Sequence, residues 1–205
     1  MTPEQKDIGQ YWWNINIPES QWTPECPEFL VGQTAKNIGI LSRNPDEDRR
    51  RFNWEEVQEF AKTNRIHHFE RSASALRAYL EYMHHLKKTY GSVLAFIQHQ
   101  RLHWDEIVPS SDKHFSNPAD FKVLYNDWPY HIDEDITHLI VWTKWQMDDE
   151  PATEEPTAET RREIEEFIVK TFCEPNAGVT RRIERDRIVW FKNWKSLKSV
   201  HALGG

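Results

Sequence analysis

Apolar positions recur at helical spacing through the first half of the chain and alternate through much of the second. Val57, Phe60 and Ala61 share one side of a helix that starts at Trp54. Asn53 is its cap, Glu55 and Glu56 suit its positive end, and Asn64 is its stop. Leu76, Leu80 and Met83 mark one face of a second helix, Ser72 to Tyr90, broken by Gly91. Val93, Leu94, Phe96 and Ile97 restart the pattern, so a helix pair precedes residue 105.

Beyond residue 120 the period shortens. The runs "FKVLYN", "THLIVWTKW" and "RIVWFKN" are rich in β-branched and aromatic residues and predict strands near 122–126, 137–145 and 187–192. Between the last two, the acidic, proline-punctuated "MDDEPATEEPTAE" predicts an exposed loop. A helix over 159–172 follows, with Ile164, Phe167, Ile168 and Thr171 inward. Residues 11–30 are crowded with prolines and aromatics and suit an extended arm anchored by Trp12, Trp13, Trp22 and Phe29. The expectation is one α+β domain over 1–205 with a mainly antiparallel central sheet and helices packed on it. Arm and loops fill 1–52, a helical part 53–104, and a strand-rich part 120–203.

Composition narrows the function classes. Ten Trp, ten Phe and six Tyr promise an aromatic core. A net charge of -7 with scattered Lys and Arg offers no footprint for a nucleic-acid backbone. Cys26 and Cys173 stand alone, which excludes a disulfide framework and a zinc ribbon and leaves both as packing residues in a reducing compartment. No apolar run is long enough to span a bilayer, and the N-terminus lacks a signal-like stretch. These features predict a soluble cytoplasmic protein with a small-molecule substrate, no nucleic-acid or membrane partner, and a homodimer as an open option.

The densest chemistry lies in "YNDWPYHIDEDITHLIVWTKW", residues 125–145. Pro129 fixes its own φ and makes Trp128 extended, so the chain turns there. Alternation then places His138, Ile140, Trp142 and Lys144 on one strand face, with Leu139, Val141, Thr143 and Trp145 on the other. Imidazole, indole and ammonium on one face suit an anionic or aromatic ligand; the structural alternative is a histidine bonded to a turn carbonyl and a lysine reaching past Trp142 to water. His103 in "QRLHW", beside Arg101, is a second acid–base candidate. His131, Asp133 and His138, with Asp135 nearby, are the alternative as ligands of a divalent metal; otherwise no cofactor is predicted. The pairs His67-His68 and His84-His85 diverge by about 100° on an α-helix and predict surface or helix-end residues. The chain has no phosphate loop, nucleophile elbow or dinucleotide fingerprint.

Taken together, "PESQWTPECPEFL", "LKKTYGSV", "QRLHW", "YNDWPY", "HLIVWTKW" and "VWFKNWKSLKSVHAL" resemble the fungal N-acetylglucosamine-induced protein family. The resemblance covers nearly the whole chain and implies a fungal, intracellular protein built on a domain of unknown function. Two departures stand out. His131 replaces the family's glycine after the DWPY motif. The family pattern also runs on into a segment ending in His-x-His, whereas this sequence stops at Leu203-Gly204-Gly205.

That pattern is in turn similar to the histidine-triad nucleotide hydrolases and transferases. Asn126, Pro129, Tyr130, His138, Asn193, Ser199 and Val200 match in order. The similarity implies a phosphate-orienting pocket without the terminal histidines. Three functions fit these expectations. The first is a small-molecule enzyme of a fungal metabolic or biosynthetic pathway, a hydrolase, lyase or cyclase. It would use His138, His103 and His131 for acid–base work, with Arg101, Asn126, Asp127, Tyr130, Trp142, Lys144, Lys192, Asn193 and Ser199 binding an anionic or nucleotide-like substrate. The second is a non-catalytic module binding a nucleotide sugar or a partner protein. The third is a metal-dependent enzyme.

Overall fold

A computed structural model describes residues 7–175, 182–198, 200 and 202–204. The chain groups into two compact units, each assembled from separated stretches. The first comprises the chain up to Trp54, Phe69–Val93 and Asp127–Ile136; the second comprises Glu55–His68, Leu94–Asn126 and Thr137–Gly205.

In the first unit, helix α1 (Ala35–Leu41) begins at Thr34, whose hydroxyl accepts the Asn37 N–H. The sequence reading assigned this region to loops, because a seven-residue helix is too short to display a period. The arm is not fully extended: 3₁₀ turns at Trp12–Asn14, Glu19–Gln21 and Glu28–Leu30 fold it back on itself. Its indoles are half-buried, and its sealed residues are Asn14 and Leu30. The Asn14 amide donates to the Ile8 and Thr23 carbonyls and accepts the Thr23 N–H, so one side chain clamps both limbs. Leu30, Ile40, Leu41 and Leu76 form the core, flanked by Trp12, Trp13, Cys26, Phe29, Tyr79 and Leu80.

Leu76, Tyr79 and Leu80 come from the long helix of this unit. In chain order α2 (Trp54–Lys62), which lies in the second unit from Glu55 on, comes first, then α3 (Ala73–Tyr90). The ends of α3 obey the expected chemistry: the Ser72 hydroxyl accepts the Ala75 N–H, and Gly91 terminates the helix at φ 77°. Asn64 likewise stands at φ 52° after α2. The DWPY turn is fastened to residue 52 by a bridge, Phe52 N–H to His131 O at 3.0 Å and Asp133 N–H to Phe52 O at 2.9 Å.

The second unit is built on an antiparallel hairpin of β1 (Phe121–Tyr125) and β2 (Leu139–Thr143), with Lys122 opposite Trp142 and Leu124 opposite Ile140. Before it, α4 (Val93–Phe96) widens into a π-helical turn, Ile97–Leu102, closed by His103 at φ 54°. After it, α5 (Ala158–Ile168) continues as a π turn, Val169–Cys173. Ile164, Phe167 and Ile168 of α5 pack against Phe121, Val123 and Val141, which seals one side of the hairpin. The α+β class stands.

The strand expected near 187–192 does not form. Ile188 exchanges both backbone groups within its own turn, its N–H to Arg185 O and its carbonyl to Arg185 Nη1 at 2.7 Å, so neither can join a ladder. Ile188 and Trp190 instead join the α5 cluster. The open edge of β2 is met by Gly204, which exchanges both backbone hydrogen bonds with Thr143 at 3.0 and 3.1 Å. A Cβ at Gly204 would lie 1.9 Å from Thr143 Oγ1 and 2.2 Å from Trp145 O, so only glycine fits so close an approach.

Candidate functional site

Residues opposite one another in an antiparallel pair point to the same side. The register therefore gathers Lys122, Leu124, Ile140 and Trp142 on the side of the hairpin turned away from α5, and extends it through Asn126 with His138 and through Lys144. The Asn126 N–H donates to the His138 carbonyl at 2.9 Å, continuing the ladder by one residue. Asn126 Nδ2 lies 3.4 Å from both ring nitrogens of His138, a position off the lone-pair direction of either. The alternation of His138, Ile140, Trp142 and Lys144 is as the sequence indicates, and all four are half-buried.

At the far end of β2, Lys144 Nζ lies 3.8 Å from Asp120 and 5.3 Å from the centre of the Trp104 ring. The QRLHW corner thus reaches Lys144 through its tryptophan. Asp120 is 1% exposed and receives the Ser110 N–H and hydroxyl at 2.9 Å. Burial alone would raise its pKa, but the Ser110 hydrogen bonds, the Lys144 charge and the Ser111 N–H together hold it below the usual carboxylate value. His103 is exposed, with Nδ1 3.0 Å from His99 O, so its ring is engaged within its own turn; Arg101 is half-buried.

A second charged group follows. Lys192 is 7% exposed and places Nζ 2.6 Å from both oxygens of Asp149. Lys198 reaches the Leu203 carbonyl at 3.4 Å, beside the Gly204 bridge. Burial first, and then Lys192, push its pKa down to about 8, with Asp149 pulling the other way. Asn193 Oδ1 is sealed without a partner, whereas the neighbouring Trp194 indole donates to Asn64 Oδ1 at 3.0 Å. Ser199 lies outside the described residues.

The remaining candidates belong to the first unit. Tyr130 stacks on Phe69 at 5.4 Å between ring centres. Asp127 is exposed and Asp133 half-buried. The His131 N–H donates to Glu70 O at 2.8 Å, and its Nε2 is buried without a hydrogen-bond partner. Among the described residues no group of three or more His, Cys, Asp and Glu side chains is placed to hold a metal ion, His131, Asp133 and His138 included. His67 and His68 do not diverge: a 3₁₀ turn, Ile66–His68, brings their rings to 4.3 Å. Asp120, Asp149 and Lys198 escaped the sequence reading. Lys192, Lys195 and Lys198, three residues apart, were the one visible hint.

Residues 53–204 match the family described as "Protein of unknown function (DUF3605)". The chain belongs to that family. It is 29% identical over 216 residues to N-acetylglucosamine-induced protein 1 of Candida albicans, covering 93% of this chain and 83% of that one. It is 24% identical over 158 residues to the uncharacterized protein YPL067C of Saccharomyces cerevisiae, covering 75% and 76%. A solved structure described as "Crystal Structure of HTC1" shares its fold, with a TM-score of 0.56 at 22% identity over 74% of this chain and 80% of the other. The fungal family read from the tryptophan-containing motifs is therefore the family of the DUF3605 chain. Among the described residues no helix is long and apolar enough to cross a membrane.

Proposed function

We propose that this protein binds an elongated anionic small molecule along the hairpin side that carries Asn126, His138, Trp142 and Lys144, with His138 as the proton-transfer group. The observation that supports this is a spacing. His138 and Lys144 share a face but are six residues apart, on the order of 20 Å along a strand. No compact metabolite touches both. A nucleotide sugar does, with imidazole and amide at one end, the Trp142 indole in the middle and the Lys144 ammonium at the other. The name of the Candida albicans relative records induction by N-acetylglucosamine, which makes nucleotide-linked and phosphorylated amino sugars the first compounds to try.

A second reading, binding without turnover, is favoured by the charges. Lys144 faces Asp120 and Lys192 faces Asp149, so both ammonium groups already have carboxylates and neither is held in reserve for a developing negative charge.

The test is a calorimetric and thermal-shift screen of nucleotide sugars, nucleotides and sugar phosphates, followed by NMR of any bound compound. His138→Ala and Lys144→Met should each weaken a hit, the lysine change by roughly 1–3 kcal/mol, with the thermal midpoint of His138→Ala within a few degrees of wild type. A hit weakened by one substitution alone removes the extended pose. Turnover that survives His138→Ala removes the proton-transfer role.

A further inference from the structure

Among the described residues of the first unit, one arginine stands without a carboxylate partner. Arg71 precedes α3, and its guanidinium carbon sits 4.0 Å from the Tyr79 ring centre and 5.4 Å from that of Tyr130. Its Nε donates to the Trp128 carbonyl at 3.1 Å, so the DWPY turn and α3 close round it. Trp128 is itself held by Tyr79 at 5.7 Å and Tyr82 at 5.4 Å.

Among the described residues no carboxylate pairs with Arg71, and its Nη groups make no hydrogen bond. Arg71 as a residue is half-buried, not sealed. Burial lowers the guanidinium from its ordinary pKa, and only Tyr79 and Tyr130 counter it. Arginine cannot shed its proton in a protein, so a desolvated guanidinium demands a partner. Contrast Arg43 and Arg185 in the same chain, matched by Glu70 at 2.5 Å and Glu165 at 2.6 Å. A second unmet polar group stands next to it in the chain fold: the His131 N–H is bonded to the carbonyl of Glu70, the residue before Arg71, and His131 Nε2 is buried and unpartnered.

We infer that Arg71, caged by Tyr79, Tyr130 and the Trp128 carbonyl, is a binding site for an oxyanion of the phosphate-monoester or carboxylate class. The geometry is selective. Two aromatic rings lie against the guanidinium and the Trp128 carbonyl takes its Nε, which leaves the Nη pair for two oxygens side by side. The inference is independent of the hairpin reading, since every residue it uses belongs to the first unit.

The experiment titrates inorganic phosphate, and separately acetate, into the full chain by calorimetry, with wild type, Arg71→Lys, Arg71→Met and Lys144→Met. One-to-one saturable binding of at least one anion is expected in wild type and Lys144→Met. It should be weakened about tenfold or more in Arg71→Lys and absent in Arg71→Met. The arm that binds separates a phosphate site from a carboxylate site. If Arg71→Met does not fold, Arg71→Lys, which keeps the charge and loses the fork, decides. Saturable binding of neither anion overturns the inference, as does equal affinity in Arg71→Lys, or loss of binding in Lys144→Met alone.

Discussion

Lys192 Nζ lies 2.6 Å from each carboxylate oxygen of Asp149, and the two side chains are only 4% and 10% exposed. Both charges have left water and each depends on the other, so removing one strands its partner. Asp149→Asn should lower the unfolding free energy by about 3–5 kcal/mol, measured by urea denaturation. The paired replacement Lys192→Met with Asp149→Leu should recover most of that loss; failure to do so would mean that the ion pair itself, not its completeness, supports the fold.

Gly204→Ala should detach the Gly204 backbone from β2, because the added methyl would overlap Thr143 Oγ1 and Trp145 O. Overpacking of this kind costs about 1–3 kcal/mol. The site-specific readout is hydrogen exchange at the Thr143 N–H, protected by Gly204 O in the wild type and expected to exchange faster in the variant. Unchanged protection would show that another group closes this edge.

Lys198 should titrate near pH 8 instead of above 10. With a folded pKa below the unfolded one, the unfolded chain binds more protons between about 8 and 10.5, so this lysine's penalty is full below pH 8 and is relieved as pH rises through that window. Amine labelling followed by mass spectrometry should show Lys198 reaching half its maximal rate near pH 8. Lys192→Met should move that midpoint upward, since the Lys192 charge is one of the causes of the depression.

Asp120 makes the opposite acid-branch contribution. Its folded pKa is lowered, so its stabilisation is present above the ordinary carboxylate value, about 3.9, and is lost as pH falls through the folded value. Asp120→Asn should flatten the acid limb of the stability curve and weaken the fold at neutral pH, where Lys144 would lose its carboxylate. A stability–pH curve parallel to wild type would exclude this account.

Much of the fold was legible because local chemistry and global pattern agree. The helix starting near Ser72, the Gly91 stop and the alternation of β2 are each settled within a few residues. What escaped was set at a distance. The segment 188–192 has strand composition, yet the Arg185 side chain occupies the Ile188 carbonyl and Gly204 takes the edge of β2. The π turn before His103 depends on the wider ladder seen in the His103 N–H to Gln98 O bond, which no hydrophobic period encodes.

The candidate residues show the same division. His138 and Trp142 were found because a strand face can be read by counting. Asp120, Asp149 and Arg71 were missed because an acid before a strand, or an arginine before a helix, looks like ordinary surface until its neighbours are known. Sequence alone offers Lys192 as a charge for a ligand; the structure gives it Asp149, 43 residues away.

The two units are threaded through one another in sequence, the polypeptide passing between them at residues 54–55, 68–69, 93–94, 126–127 and 136–137. No single cut liberates either half intact. A fragment that ends before Ile136 leaves both bodies unfinished, and a longer one carries the first unit beside a partial second, so dissecting this protein calls for point substitutions or circular permutation in place of deletion.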